Sequence, residues 1–175
     1  MGGEALFQIC YEGDLTVEVC AALRRLRAEP NFDQSWEVRL PATRSAGAIA
    51  RYLRMLIGGN ARLLVARAQY SRHRELLLIR HSLTPGADYR ELHEGIERLG
   101  RVWELPFEST FIVETDDPTD TRTLGEALVQ LCPDEALMVT GIRRDLAYST
   151  AALWSVWMPQ PRNRGRAQTQ ALPGE

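Results

Sequence analysis

Arginine supplies all the positive charge of this 175-residue chain, because its 21 basic residues include no Lys. The guanidinium group makes paired hydrogen bonds to phosphate and carboxylate, which a lysine ammonium cannot do. The candidate phosphate contacts are Arg24, Arg25 and Arg27 on the exposed side of the first predicted helix, and Arg143 and Arg144 after the last predicted strand. A GC-rich genome and ordinary solvated surface charge are the alternative explanations.

The net charge of −2 argues against a protein that holds nucleic acid by bulk charge alone. Any such binding therefore has to come from locally arranged arginines. Arg162, Arg164 and Arg166, near the carboxyl end, would add weak, salt-sensitive affinity.

The cysteines and histidines do not form a recognisable catalytic or metal-binding motif. Cys10, Cys20 and Cys132 lack metal or redox spacing, which favours buried thiols in a reducing compartment. His73 lies in a polar stretch that is predicted to be a linker, and His93 lies at the edge of a predicted helix. These residue types therefore predict no cofactor.

The chain shows no targeting or membrane signal. Its opening, MGGEALFQIC, lacks the basic region and the long apolar run of a signal peptide. Its apolar stretches are all shorter than the roughly 20 residues that span a bilayer. We therefore expect a soluble, cytoplasmic protein without membrane contact.

Hydrophobic periodicity predicts the same order of elements twice. In the first half, strands at 4–11, 34–40 and 61–68 alternate with two helices, and the last helix stops at GGN, residues 58–60. In the second half, strands at 75–81, 101–105, 109–115 and 135–142 are joined by two further helices. The sequence between the first helix and the strand that follows at 34–40 is shorter than its counterpart in the second half, which predicts a shortened or missing second strand in the first half.

A local similarity supports an internal duplication. FESTFIV, residues 107–113, matches FDQSWEV, residues 32–38, and the offset between the halves stays between 70 and 75. The order strand–helix–strand–strand–helix–strand is that of a ferredoxin-like unit. We therefore predict an α+β protein in which tandem ferredoxin-like repeats, residues 1–70 and 75–148, form one compact pseudo-dimer. A single irregular α+β domain with an accidental repeat is the competing fold.

The carboxyl-terminal residues have no counterpart in the first half. Residues 149–159 form an apolar segment that covers the joint between the halves or binds another protein through an exposed cluster. This cluster consists of Leu153, Trp154, Trp157 and Met158. Residues 160–175, rich in Pro, Gly and Gln, are predicted to be disordered.

Several short motifs occur in a fixed order across residues 76–145. They are Pro85–Gly86, Asp88–Tyr89, Leu99–Gly100, Trp103, Ser109–Thr110 and Pro133–Asp134. Because these motifs occur in this order, the second half resembles the SinR-like families. These belong to the fold group of the CRISPR spacer-acquisition small subunit and the virulence-associated protein D toxins.

The resemblance implies nucleic-acid association, and in some relatives a metal-dependent nuclease whose carboxylate follows the first strand. Here the corresponding Tyr-Asp pair is His81–Ser82 in the second half and Tyr11–Glu12 in the first. Serine cannot replace a carboxylate as a ligand for a hard cation. A lopsided site from Glu12, Asp14 and His81, holding Mg²⁺ or Mn²⁺, is what this resemblance leaves open.

The leading functional hypothesis is a nucleic-acid-associated, non-catalytic scaffold in a mobile-element or defence setting. A metal-dependent endonuclease or endoribonuclease that uses Glu12 is the first alternative. A protein-binding adaptor that captures its partner through an exposed strand edge or the tryptophan segment is the second.

Overall fold

The chain forms an α+β structure with four helices and nine strands among the residues described. The computed structural model describes residues 3–58, 62–69, 74–82, 84–104, 107, 109–149 and 154–157. All the strand pairs in this part of the chain are antiparallel. The predicted α+β class is confirmed.

The first unit runs from β1 to β4. Its elements are β1 (Glu4–Glu12), α1 (Val17–Arg25), β2 (Glu29–Phe32), β3 (Ser35–Pro41), α2 (Ala46–Ile57) and β4 (Arg62–Ala68). The strands lie in the order β2-β3-β1-β4. The second strand is present but has only four residues, so the prediction of a shortened strand is confirmed.

The second unit repeats this arrangement. Its elements are β5 (Arg74–His81), α3 (Arg90–Glu97), β6 (Gly100–Glu104), β7 (Thr110–Thr119), α4 (Thr121–Val129) and β8 (Leu137–Ser149). From the outer edge inward the strands lie in the order β6-β7-β5-β8, and the corresponding strands of the first unit lie in the order β2-β3-β1-β4. The described residues between β4 and β5 are few, and the predicted linker lies mostly outside them.

Strand β8 joins the two units. Its first part pairs with β5, from Leu77 opposite Gly141 to His81 opposite Leu137. Its second part pairs with β4, where Leu64 lies opposite Tyr148. The prediction that the last strand ends at residue 142 is therefore wrong, because the strand continues to residue 149 in the other unit's sheet.

Among the described residues, buried apolar side chains form three layers. The outer core of the first unit packs α1 and α2 on the sheet and includes Phe7, Ile9, Val19, Leu23, Ile49, Leu53 and Val65. The outer core of the second unit packs α3 and α4 and includes Leu77, Ile79, Leu92, Ile96, Val113 and Leu128. The inter-sheet layer takes side chains from both units and includes Cys10, Leu64, Ala66, Leu76, Leu78, Ile112, Ile142 and Leu146.

These layers explain how two small units make one stable body. Side chains alternate between the two faces of a strand, so each sheet has one face for its helices and one face left over. The leftover faces cover each other in the inter-sheet layer. Burying a Leu side chain there stabilises the fold by roughly 1.5–3 kcal/mol.

Most helix ends follow local sequence rules. Thr16 and Ser45 accept hydrogen bonds from Val19 N and Ala48 N at the starts of α1 and α2. Helix α3 begins after Tyr89, which makes no side-chain cap, and Asp88 Oδ1 accepts a hydrogen bond from Arg90 N at 3.0 Å. Within the described ranges, no helix is long and apolar enough to cross a membrane.

Candidate functional site

The tips of β1 and β5 meet at the joint between the units. Arg80 on β5 is only 3% exposed, and its Nη2 donates to Tyr11 O at 3.3 Å. Its Nε has no hydrogen-bond partner among the residues described. A buried guanidinium beside the strand tips repels other cations in a medium of reduced dielectric constant. The joint is therefore a poor place for a divalent metal ion.

The candidate catalytic residues Glu12, Asp14 and His81 are not brought together. Glu12 forms an ion pair with Arg62 at 2.9 Å, and Asp14 is exposed in the loop before α1. His81 is buried and packs against α3 residues instead. In the part of the chain that the structure describes, no three His, Cys, Asp or Glu side chains are grouped to hold a metal.

His81 belongs to an aromatic cluster on the helix side of the second sheet. Its ring centroid lies 4.5 Å from that of Tyr89 and 6.1 Å from that of Phe111, and its Nε2 lies 3.4 Å from His93 Nε2. Its Nδ1 lies 2.7 Å from Ser82 O. Burial lowers the pKa of His81, and nearby His93 lowers it further. A neutral, packed imidazole is the result.

Ser82, which follows His81 at the end of β5, is held by an acidic residue from elsewhere in the chain. Its hydroxyl donates a close hydrogen bond to Glu135 and accepts one from Ala136 N at 3.1 Å. The hydrogen bonds from Ser82 and then Thr84 lower the pKa of Glu135. These bonds connect the end of β5 to the loop before β8, and no sequence pattern predicted them.

The neighbours Arg143 and Arg144 have different environments. Arg144 forms a close ion pair with Glu114, whose side chain is 5% exposed, so its charge is already engaged. Arg143 is exposed. Alternation along β8 places them on opposite faces. That both contact phosphate stays a prediction: Arg144 already has an acidic partner, whereas Arg143 is exposed.

Arg143 lines an open groove of about 440 Å³ beside the junction of β1, β3, β4 and β8. We call this feature the arginine groove, because Arg39 and Arg67 line it too and Glu4 is the only acidic residue among its described lining residues. Arg67 Nη2 donates to Ala42 O. The arginine groove thus brings together guanidinium groups from three strands.

Arg67 is the fixed member of this set. Its guanidinium carbon lies 5.3 Å from the centre of the Phe7 ring, and its Nη1 lies 3.9 Å from Asp145 Oδ2. Its Nε is buried without a partner among the described residues. Arg39 and Arg143, by contrast, are exposed. The arrangement is suited to a polyanion, with one anchored and two adaptable cations.

A second opening of about 300 Å³ lies beside the arginine groove. We call it the Tyr52 pocket, and it is lined by Leu26, Leu40, Arg44, Ala48, Ile49 and Tyr52. Arg67 Nη2 lies 3.5 Å from Arg44 O, which connects the two openings. Sequence analysis missed Arg39, Arg44 and Arg67, because only the tertiary fold shows that they are neighbours.

The predicted contacts Arg24, Arg25 and Arg27 are exposed at the end of α1, next to Leu26 of the Tyr52 pocket. Cations in the last turn of a helix are favoured by the helix dipole, which explains Arg24 and Arg25 without a ligand. Arg27 differs, because it has a φ of 56° at a position where glycine is usual.

The predicted partner-binding segment is described only in part. Residues Trp154–Trp157 form β9, whose backbone pairs with β8 from Leu146 to Ser149. Leu153, Met158 and the predicted disordered tail lie outside the described residues. The described part of the segment therefore pairs with β8, and its role as a binding surface stays a prediction.

Comparison with known proteins gives no family or relative for this chain. No family model, no curated protein and no solved structure matches it.

Proposed function

We propose that this protein is a non-catalytic scaffold that binds nucleic acid through the arginine groove. In this proposal the two units are a fused, diverged duplication of a ferredoxin-like domain, of the kind found in the SinR-like and CRISPR small-subunit fold group. Their identical strand order and matching element order support that origin.

The observation that carries the proposal is the charge of the arginine groove in a chain of negative net charge. Three arginines and one carboxylate are among its described lining residues; Arg67 is already paired with Asp145, whereas neither Arg39 nor Arg143 has an ion-pair partner among the described residues. Guanidinium groups bind phosphate oxygens with charge-assisted, often paired hydrogen bonds. A sugar–phosphate backbone is the common polyanion that presents such groups in series.

The geometry favours a scaffold over a nuclease. Metal-assisted hydrolysis needs carboxylates that hold a divalent ion near the phosphate. Here Glu12 is paired with Arg62, and the strand tips are occupied by the buried cation Arg80. The arginine groove contains Glu4 but no acidic cluster among its described lining residues.

A salt titration tests the proposal directly. Fluorescence anisotropy with a labelled oligonucleotide is measured at rising salt for the wild type and for Arg39→Ala/Arg143→Ala. Each phosphate contact contributes about 0.7 for a single strand or about 0.9 for a duplex to the slope of log affinity against log salt. Loss of two contacts should therefore reduce the slope by about 1.4 to about 1.8.

The matched control is Arg98→Ala/Arg122→Ala. These arginines lie on α3 and α4 of the second unit, where they pair with Glu94 and Glu126. The double control removes the same charge but does not affect the lining of the arginine groove, so it should leave the salt slope unchanged. An equal loss in both variants would show that binding depends on net charge and would overturn the assignment to the groove.

Two further outcomes separate the rival functions. Cleavage of an RNA and DNA pool with Mg²⁺ or Mn²⁺ that disappears in Glu12→Ala would replace the scaffold with the nuclease. Absence of binding to any oligonucleotide at low salt would refute the scaffold, and the protein-binding adaptor would become the leading hypothesis.

A further inference from the structure

We infer that the Tyr52 pocket holds an unstacked base, so that the preferred ligand is a single-stranded nucleic acid whose backbone follows the arginine groove. This inference rests on the proposed function and specifies its ligand. It assigns a role to an opening that the phosphate contacts alone leave unexplained.

The lining of the Tyr52 pocket suits a flat, mostly apolar group. Leu26, Leu40, Ala48 and Ile49 provide aliphatic surface, and Tyr52 on α2 keeps 37% of its surface exposed although it is a large aromatic residue. Aromatic side chains stack on the faces of nucleobases with little regard to sequence. A volume of about 300 Å³ places this pocket at the lower end of small-ligand sites.

The pocket and the groove are close enough for one strand to reach both. Ala42 lines the groove and Arg44 lines the pocket, and a turn connects them in which Arg44 N donates to Pro41 O at 2.9 Å. Two residues of chain span roughly 7 Å at most. A backbone that crosses this turn can place phosphates at the arginines and the attached base in the pocket.

Positive charge continues on the far side of the pocket. Leu26 contributes to the pocket wall, and exposed Arg25 and Arg27 are its neighbours in the chain. Arg44 is itself a lining residue and is exposed, and a guanidinium can stack on a base or bind a phosphate. The pocket is therefore lined by one arginine and adjoins the exposed arginines at the end of α1, which suits a site that follows a nucleic-acid strand.

This arrangement discriminates against a duplex. A paired base must be flipped out of the helix before it can enter a pocket, which costs the free energy of unpairing and unstacking it. Bases of a single strand are already free to leave their neighbours and stack on protein side chains. The Tyr52 pocket therefore increases the affinity for a single strand, whereas the arginine groove alone binds single strands and duplexes alike.

The test compares three ligands of equal length: a single strand, the same strand with abasic positions, and the duplex. Stacking is worth about 1–3 kcal/mol per base, so Tyr52→Ala should weaken single-strand binding by roughly five- to 150-fold. Duplex binding should stay within about two-fold. Tyr52→Phe keeps the ring and should keep single-strand affinity. Met55→Ala, a change on the same helix at a residue 73% exposed and outside the pocket lining, is the matched control.

The outcomes separate this inference from the proposed function. If Tyr52→Ala weakens single strand and duplex equally, or if abasic substitution leaves wild-type affinity unchanged, the base pocket is refuted. The scaffold still stands in that case, provided that Arg39→Ala/Arg143→Ala reduces the salt slope. If the wild type binds neither ligand at low salt, both proposals fall. The abasic comparison uses the wild type and so does not depend on how well a variant folds.

Discussion

Leu53→Ala tests whether the two units share one stability. Leu53 lies on α2 in the outer core of the first unit and is fully buried, and it does not belong to the outer core of the second unit. Truncation of a buried Leu costs about 2–5 kcal/mol, and we take about 3 kcal/mol for this site. A domain of this size has a total stability of about 5–15 kcal/mol, so the protein should remain folded.

The two units bury the inter-sheet layer together, so the loss should also appear in the second unit. Native-state hydrogen exchange of the Leu78, Ile79 and Ile112 amides measures it there. If these amides exchange through global unfolding, their protection should fall by about 100-fold, because each 1.4 kcal/mol is a factor of ten. Met55→Ala on the same helix should change stability by less than about 0.5 kcal/mol.

A different result would refute the shared core. If protection of the second-unit amides stays within about two-fold of the wild type while α2 and β4 lose theirs, the units unfold independently. A denaturation curve with two resolved transitions, of which Leu53→Ala moves only one, would lead to the same conclusion.

Three further changes test local features. Arg27→Gly should raise the free energy of unfolding by about 1 kcal/mol in chemical denaturation, because glycine accepts the left-handed backbone without strain; a loss of stability would contradict this. Since the pKa of His81 is lowered, the unfolded chain alone takes up this proton below about pH 6.5, so stability should fall as pH falls, and His81→Asn should flatten that dependence; parallel curves would refute it. Arg144→Ala should cost about 3 kcal/mol by leaving the buried Glu114 charge poorly compensated, and Glu114→Gln in the same chain should restore part; no recovery in a thermal melt would exclude this cause.

Local pattern was sufficient for the elements that follow simple rules. Alternating Trp36, Val38 and Leu40 indicated β3, and the spacing of Ile49 and Leu53 indicated α2. These segments each present one apolar face to one core, which is the condition under which periodicity predicts structure. The repeated order of elements followed from the same patterns.

Strand β8 could not be predicted in full, because its charged residues are satisfied by distant parts of the fold. Arg143, Arg144 and Asp145 indicated a loop after residue 142. In the structure Arg144 pairs with Glu114, and Asp145 accepts a hydrogen bond from Ala46 N at 3.0 Å at the start of α2. Charges inside a strand become acceptable when tertiary partners compensate their desolvation.

The candidate site was even less accessible to sequence analysis. Arg39 was recognisable as an outward residue of an alternating strand, but nothing in one sequence places it near Arg67 and Arg143. That neighbourhood depends on the pairing of β4 with β8, whose register has a bulge between Ala66 and Ala68. The Tyr52 pocket likewise depends on the packing of α1 against α2.

The sharing of β8 between both sheets has a consequence during synthesis on the ribosome. The first unit can assemble as soon as Ala68 has emerged, but its β4 edge and its inter-sheet face stay open until Ser149 arrives. At roughly 5–20 residues per second this delay lasts about 4–16 s. During that interval the nascent chain exposes an unpaired strand next to bare leucines, and a chaperone that shields such surfaces would protect it from aggregation.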